Sequence, residues 1–285
     1  MTQSNFPARR FQMVDVFAEQ LLYGNPLPVV VDSDGLSGED MLRITRWMNQ
    51  SETTFLLPPS DPKADYRVRI FTLERELPFA GHPTLGTCYV WLQHGGQPNN
   101  PELIVQECGA GLIPIRRQGK QLAFAAPPLQ RSGPVEDAKI EEVANVLRIS
   151  RREMVDIEWV DNGPGWIGVL LGSAKAVLEL DPAGSHEATI DIGVVGPYPQ
   201  GHEFAFELRA FYTDQNNSMR EDPVTGSLNA SVAQWLIASG RAQPPYMAHQ
   251  GTCLGRSGRI HVAQEGGEIW IGGRVISLIE GTCSV

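Results

Sequence analysis

One acidic residue, Glu52, stands just before an apolar run, Phe55-Leu56-Leu57. Apolar surroundings raise the pKa of a carboxyl group towards neutrality, because burial disfavours the charged form. A carboxyl group tuned in this way can both take up and return a proton near pH 7. The sequence therefore predicts Glu52 as a general acid/base. On spacing alone, a solvated helix end or a capping group is the commoner role of such a glutamate.

Two glycine-containing segments, 81–84 and 221–227, supply the other candidate groups. In each, small residues stand where a predicted strand passes into a predicted helix, so the N–H groups of a helix N-terminus can bind a carboxylate. His82 and Asp222 offer hydrogen bonds or a second proton-transfer group, which makes them candidate catalytic residues, although each precedes a proline and more often only stabilises a turn. The candidate substrate-binding residues are Ser51, Gly81, Thr225, Gly226 and Ser227.

Two apolar helices are predicted at these segments, one from about Thr84 to Gln93 and one from Gly226 to Gly240. Neither helix has a polar face, so protein must surround each of them. Thr84 and Ser227 lie 143 positions apart, about half the chain. This spacing favours an α/β (α+β) fold of two pseudo-symmetric domains, each a curved, mostly antiparallel sheet or barrel around a central helix.

The predicted domain boundary lies in a proline-rich stretch around residues 125–134. We expect an N-terminal half over residues 1–127, a C-terminal half over residues 128–274, and an active site between them. Whether the last strand, residues 275–285, completes the N-terminal half stays open.

Regular elements are predicted around the first candidate residue. Residues 13–17 and 28–31 alternate like two strands of a hairpin, joined through the turn residues Gly24-Asn25-Pro26. A helix capped by Ser37 ends near Asn49. Glu52 is therefore expected at a helix-to-strand junction.

Composition and charge limit the partners. The 285 residues carry a net charge of -10, which argues against nucleic acid, and no apolar run reaches the roughly 18 residues that cross a bilayer. We expect a small anionic metabolite as the ligand, with no nucleic-acid and no membrane partner. The N-terminal residues Met1–Phe6 show no secretory signal pattern, and the cysteines are scattered, so we expect a cytoplasmic protein. These cysteines are Cys88, Cys108, Cys253 and Cys283.

No cofactor or metal is expected. The histidines form no metal-ligand spacing with each other or with cysteines. Residues 163–168 match G-x-G-x-x-G in letters but run into a strand-like segment, so they predict a turn and no phosphate site. There is also no G-x-S-x-G nucleophile motif.

Four phrases, in order along the chain, resemble the phenazine-biosynthesis PhzF-like family. They are Gly24-Asn25-Pro26, Ser51-Glu52-Thr53-Thr54-Phe55, the segment 76–84 and the segment 221–227. The resemblance implies the diaminopimelate-epimerase-like fold, no cofactor, an acid/base at Glu52, and frequent homodimers. It also implies that Ser51, Gly81, His82, Asp222, Gly226 and Ser227 match substrate-contacting or proton-handling positions.

The chain departs from relatives of this fold at two places. Epimerases and racemases of the fold use a cysteine at each helix N-terminus, where this chain has Ala80 and Pro223, so a two-thiol mechanism is disfavoured. In the phrase 255–259, Ser257 stands where the PhzF-like pattern has proline. We predict an isomerase that moves a proton on a small carboxylate-bearing substrate. An epimerase or racemase, or a non-catalytic metabolite-binding protein with the same cleft, stays open as an alternative.

Overall fold

The computed structural model describes residues 7–285; Met1–Phe6, which lack a secretory pattern in the sequence, lie outside the described residues. The chain divides into two compact units, the first formed by Met1–Phe124 and Gly272–Val285, the second by Ala125–Ile271. Among residues 7–285, no helix is both long enough and apolar enough to span a membrane.

Within the described residues, the first unit contains strands β1 to β8, the C-terminal part of β17 and two helices. The strands are β1 (Ala8–Val16), β2 (Asn25–Val30), β3 (Glu52–Leu57), β4 (Tyr66–Thr72), β5 (Glu76–Leu77), β6 (Leu103–Cys108), β7 (Gly111–Gln118) and β8 (Gln121–Ala125). The helices are α1 (Gly38–Met48) and α2 (Gly81–Gln93).

The second unit contributes the remaining elements. Its strands are β9 (Arg131–Pro134), β10 (Met154–Asp161), β11 (Trp166–Leu171), β12 (Asp191–Pro197), β13 (Phe206–Thr213), β14 (Met219–Asp222), β15 (Tyr246–Gln250), β16 (Gly258–Glu265) and β17 (Glu268–Ser284), of which β17 continues into the first unit from Gly272. The helices are α3 (Asp137–Leu147), α4 (Ala174–Leu178) and α5 (Gly226–Ala238), with 3-10 turns at Arg151–Glu153 and Thr252–Leu254.

The strands of the first unit close into a barrel. Hydrogen-bonded neighbours follow in the order β17, β1, β2, β3, β4, β6, β7 and β8, and β8 pairs back with β17. The pairs β2–β3 and β4–β6 are parallel, and their crossovers contain α1 and α2. The short strand β5 pairs with β4 as a hairpin.

The second unit repeats this order of pairing. β10–β11 is antiparallel, β11–β12 is parallel through α4, β12–β13 and β13–β14 are antiparallel, β13–β15 is parallel through α5, and β15–β16 is antiparallel. The first unit has the same series from β1–β2 to β6–β7. The predicted pair of similar halves, each a curved sheet around one apolar helix, is confirmed.

Helix α2 is buried along nearly its whole length, as its lack of a polar face predicts. Gly86 lets it approach the sheet, because a Cβ there would lie 2.5 Å from Leu27 Cδ2 and 3.0 Å from Val16 Cγ2. The predicted start near Thr84 is wrong by three residues, since the helix begins at Gly81. Proline fits the first turn of a helix, where N–H groups have no intrahelical acceptor, so Pro83 does not delay the start.

Helix α5 is buried in the same way, but here the sheet provides the space. A Cβ on Gly193 of β12 would lie 2.1 Å from Leu228 Cδ1, and one on Gly168 of β11 would lie 3.0 Å from Trp235 Cζ3. The glycines of the strands therefore allow the close approach of the α5 side chains.

The smaller sequence predictions also hold. β1 and β2 form the expected antiparallel hairpin. Ser37 caps α1 in a reciprocal capping box with Asp40, and Asn49 ends the helix in the left-handed conformation. Residues 163–165 form a turn that leads into β11, with positive φ at Gly163 and Gly165, so the G-x-G-x-x-G letters mark a hairpin turn.

Candidate active site

Glu52 is the first residue of β3, immediately after Ser51, and lies opposite Thr72 of β4 in the antiparallel register. Its side chain is 16% exposed, so the carboxylate is largely buried but can be reached. The residues that follow it along β3 are all buried, as expected of a strand that is covered on both faces, here by α1 and α2.

His82 faces Glu52 from the first turn of α2. Its Nε2 atom lies 3.5 Å from Glu52 Oε2, which is longer than a normal hydrogen bond. Burial lowers the pKa of His82 to about 3, so the ring is neutral at pH 7. The contact is therefore a carboxylate beside a neutral imidazole and not an ion pair.

Asn25 determines which ring nitrogen of His82 carries the proton. The Asn25 side-chain amide, fully buried at the start of β2, places Nδ2 3.3 Å from His82 Nδ1. An amide nitrogen can only donate, so Nδ1 accepts and the ring proton sits on Nε2. The Nε2–H group therefore faces Glu52. No acceptor among residues 7–285 lies within normal hydrogen-bond distance of it.

The position of Asn25 depends on the turn before it. The buried carboxylate of Asp15 accepts hydrogen bonds from the backbone N–H groups of Tyr23 (3.1 Å) and Gly24 (3.2 Å). A Cβ on Gly24 would lie 2.1 Å from the Val16 carbonyl oxygen, so only glycine fits here. Asn25 and Asp15 are not among the site residues predicted from the sequence. The segment Gly24-Asn25-Pro26 was interpreted as a turn and as part of the family resemblance, but it gave Asn25 no predicted role in the site.

The second unit places Asp222 at the end of β14 and Thr225 at the N-cap of α5. The Thr225 hydroxyl donates to Asp222 Oδ2 over 2.5 Å. This short hydrogen bond holds the segment between the strand and the helix in a tight turn. Gly226 is the first helical residue, and it is buried.

Two amide side chains, both missed from the sequence, stabilise this segment. Gln250 Oε1 accepts from the Thr225 backbone N–H (3.0 Å) and from Asn229 Nδ2 (2.8 Å), and Gln250 Nε2 donates to the Asp222 carbonyl oxygen (3.1 Å). Asn229 Nδ2 also donates to the Thr225 carbonyl oxygen (2.9 Å). Gln250 lies on β15, more than twenty residues along the chain, whereas Asn229 lies one turn into α5, and no local pattern marks either as a site residue.

Ser227, the second residue of α5, is bonded to the hairpin between β10 and β11. Trp166 Nε1 donates to its hydroxyl (3.1 Å), and Asn162 Nδ2 donates to its carbonyl oxygen (2.8 Å). The structure therefore distributes the predicted site residues over two sets. Glu52 and His82 are in contact in the first unit, with Ser51 and Gly81 as chain neighbours, and Asp222, Thr225, Gly226 and Ser227 lie together in the second.

Neither buried helix has a side-chain cap. Ala80 precedes α2 and carries no hydroxyl or amide, and Thr225 precedes α5 but turns its hydroxyl to Asp222. The first N–H groups of a helix have no intrahelical acceptor, and together with the helix dipole they attract anions. Among residues 7–285, no three His, Cys, Asp or Glu side chains come together as metal ligands.

Cys88 lies in the middle of α2, fully buried. Burial raises the pKa of its thiol to about 12, so it is not a thiolate at neutral pH. That a two-thiol mechanism is disfavoured, because Ala80 and Pro223 stand at the helix N-termini, stays a prediction.

Two buried helices, each wrapped by a curved sheet with the same order of strand pairing, define the class of fold, and the carboxylate beside a neutral imidazole marks one helix N-terminus as the candidate active site. The chain belongs to the family described as phenazine biosynthesis-like protein (PhzC-PhzF), whose model matches residues 14–281.

The similar proteins agree with this assignment. The chain is 34% identical to "Antisense-enhancing sequence 1" of Schizosaccharomyces pombe, with 95% of this chain and 97% of that protein covered. It is 33% identical to trans-2,3-dihydro-3-hydroxyanthranilate isomerase of Pseudomonas aeruginosa, with 90% and 91% covered. A predicted epimerase from Pseudomonas aeruginosa, 27% identical, matches its structure with a TM-score of 0.79 over 97% of this chain and 99% of that one. The chain is an isomerase of this family.

Proposed function

We propose that the protein moves a proton on a small carboxylate-bearing substrate without a cofactor, and that Glu52 is the acid/base. The observation that carries the proposal is the contact between the Glu52 carboxylate and the neutral, Nε2-protonated ring of His82. A largely buried carboxylate beside a neutral imidazole is suited to take a proton from carbon and to return it to another position.

His82 acts in this proposal as a hydrogen-bond donor and not as a proton-transfer group. With a pKa of about 3, its ring takes up no second proton at neutral pH. Its Nε2–H group is a buried donor that gains most from bonding to charge on the substrate, because leaving such a donor unsatisfied costs about 1–3 kcal/mol. The donor stabilises negative charge that develops when Glu52 removes the proton.

The second unit is proposed to bind the substrate carboxylate. Gly226 and Ser227 present backbone N–H groups at the uncapped N-terminus of α5, and Thr225 adds a hydroxyl. The hydrogen bonds of Gln250 and Asn229 fix the backbone of this segment, so binding would require little reorganisation. Asp222 is the second candidate carboxylate. We propose Ser51 and Gly81 as substrate contacts beside Glu52 and His82.

The test is solvent deuterium incorporation. Candidate cyclic and unsaturated acids, including trans-2,3-dihydro-3-hydroxyanthranilate, the compound named for the 33% identical relative, are incubated in heavy water with wild type, Glu52→Gln and Asp222→Asn. Glu52→Gln keeps the shape of the side chain but cannot accept a proton, so labelling should fall by about 10²–10⁴-fold. Equal labelling by wild type and Glu52→Gln would refute the role of Glu52. Asp222→Asn tests the role of Asp222. A lower kcat would indicate a role in proton transfer, and a higher KM alone would indicate a role in substrate binding.

Epimerisation is the second candidate, favoured by the structural match to a predicted epimerase. It moves a proton at the same carbon and inverts that centre, whereas isomerisation moves the proton between positions. Chiral analysis of the deuterated product separates the two outcomes.

We further propose that the protein works in the cytoplasm as a homodimer. The family resemblance supports the dimer, and the four free cysteines support a reducing compartment. Sedimentation equilibrium of the purified chain tests the first statement, and fractionation of cells that express it tests the second.

A further inference from the structure

The Ala125–Ile271 unit contains a second cluster of side chains that can act in catalysis. It is formed by Glu207, His249 and Ser257. Glu207 and His249 are direct partners in the parallel register of β13 and β15. Ser257 immediately precedes β16, which pairs with β15 so that Arg259 lies opposite His249. The sheet therefore brings together three residues that no sequence motif connects.

The three side chains form a hydrogen-bonded line. His249 Nδ1 lies 2.7 Å from Glu207 Oε2, and His249 Nε2 lies 3.0 Å from Ser257 Oγ. The same carboxylate also accepts hydrogen bonds from the hydroxyls of Tyr198 (2.8 Å) and Thr252 (2.8 Å). A carboxylate beside Nδ1 holds the ring proton there, so Nε2 is the acceptor and the Ser257 hydroxyl donates to it.

The surroundings hold this line in place. The His249 ring stacks on Phe204, with the ring centroids 4.4 Å apart and the planes inclined by 27°. Glu207 is fully buried, His249 is 8% exposed, and Ser257 is half-buried, so only the serine end can be reached by a small molecule. Side chains alternate along a strand, so His249 points to the opposite face of β15 from its neighbour Gln250, which supports the Asp222–Ser227 segment.

We propose that Ser257 is an activated nucleophile for small acyl esters, with His249 as its general base and Glu207 as the residue that positions the imidazole. This order of acid, imidazole and hydroxyl is the arrangement that activates serine in hydrolases of unrelated folds, where it is recognised by geometry. The resemblance to the PhzF-like family implies proline at the position of Ser257, so the proposed site does not follow from that resemblance.

Ester hydrolysis at this site needs only these side chains and water. Ser257 Oγ bonds to the ester carbonyl carbon while its proton passes to His249 Nε2. The alkoxide leaves with that proton, and an acyl-Ser257 ester remains. Water then attacks the acyl ester, again through His249, and releases the carboxylic acid and free serine.

A fluorophosphonate probe tests the nucleophile directly, because it forms an Oγ–P bond and releases fluoride. The full-length wild-type chain is incubated with the probe, and the labelled residue is identified by peptide mass spectrometry. We expect the adduct on Ser257, no adduct in Ser257→Ala, and normal labelling in Ser239→Ala, an exposed serine whose hydroxyl donates to the carbonyl oxygens of Trp235 and Leu236 and has no histidine partner among these bonds. His249→Gln should lower the labelling rate at least about 10²-fold.

Hydrolysis of p-nitrophenyl acetate is the second measurement, and an initial burst would report the acyl intermediate. Glu207→Gln should reduce both reactions and shift the His249 tautomer in ¹⁵N NMR spectra, which a purely structural role would not do. An unlabelled wild type, or an adduct mapped to any residue other than Ser257, would overturn the proposal. The mapping uses the wild type, so it decides the question even where a variant fails to fold.

Discussion

The two units use one topology but obtain the room for their central helix in opposite ways. In the first, the glycine lies on the helix, where Gly86 lets α2 approach Leu27 and Val16. In the second, the glycines lie on the strands, where Gly193 and Gly168 receive side chains of α5. The repeat therefore preserves the close approach of helix and sheet and not the positions of the glycines that allow it.

The polar groups at the two helix N-termini differ in the same manner. In each unit the first hairpin contacts the second residue of the buried helix: Asn25 contacts His82, and Trp166 contacts Ser227. In the first unit this contact orients a neutral imidazole towards a carboxylate. In the second it fixes a hydroxyl. The same connection thus orients a ring beside a carboxylate in one unit and fixes a hydroxyl at the helix N-terminus in the other.

The largest effect expected from this difference is a dependence of stability on pH that originates in His82. In the unfolded chain a histidine takes up its proton near pH 6.5, but in the folded protein the pKa of His82 is about 3. Between these values the unfolded state binds more protons, so the free energy of unfolding falls as pH falls, by up to about 1.4 kcal/mol per pH unit and by roughly 5 kcal/mol over the whole interval.

Urea unfolding of wild type and His82→Gln at pH 7.5 and pH 5.5 measures this contribution. The wild type should lose roughly 1.4 kcal/mol more than the variant over this interval, which covers one pH unit below the unfolded pKa. Parallel losses in both proteins would show that His82 becomes protonated in the folded state. The imidazole would then be a cation beside Glu52, and the proposed role as a neutral donor would be wrong.

The next effect concerns the glycines that create space for the helices. Gly86→Val and Gly193→Val each force side chains into occupied volume, and each should lower the free energy of unfolding by about 1–3 kcal/mol. Gly172→Val is the matched control, since a Cβ there meets no atom within 4 Å. A loss at Gly86 without one at Gly193 would show that the α5 side chains can move aside and that only α2 is tightly packed.

A smaller effect is expected from the two hairpin contacts. Asn25→Ala removes the donor that selects the His82 tautomer, so ¹⁵N NMR of the imidazole should change from a single Nε2–H form to a mixture. Trp166→Phe removes the corresponding N–H from Ser227 and should cost about 1 kcal/mol in urea unfolding, with the His82 signals unchanged. An unaltered His82 tautomer in Asn25→Ala would exclude Asn25 as its determinant.

Much of this comparison could be predicted from the sequence, because the pattern of buried residues is a local property. The absence of a polar face in segments 84–93 and 226–240 predicted both central helices, and the Ser37 and Asn49 signals predicted the ends of α1. The start of α2 was placed too late, since glycine, histidine and proline resemble a loop in sequence but fit the first turn of a helix.

Most of the polar partners could not be predicted, because they depend on strands that pair across long stretches of chain. Glu52 and His82 were selected as individual candidates, but the buried amide of Asn25 that assigns the His82 proton was not. Gln250 and Asn229, which hold the Asp222 segment, carry no local signal. Nor does the contact of His249 with Glu207, which arises from the parallel pairing of β13 and β15.

The smallest effect is expected at the capped helix α1. It tests whether side-chain caps stabilise the fold, while uncapped N-termini are kept for ligand binding. Ser37 and Asp40 close the N-terminus of α1 with their own side chains, whereas α2 and α5 have no such cap. Ser37→Ala should cost about 1 kcal/mol in urea unfolding, a typical value for an N-cap, and should leave isomerase kinetics unchanged. In α2 a cap could reach few donors, because Pro83 at the third helical position has no N–H group. The missing cap of α2 therefore costs little stability and leaves its remaining N–H groups available to an anion. If Ser37→Ala changed KM, the proposed difference between capped helices, which only stabilise, and uncapped helices, which bind, would be wrong.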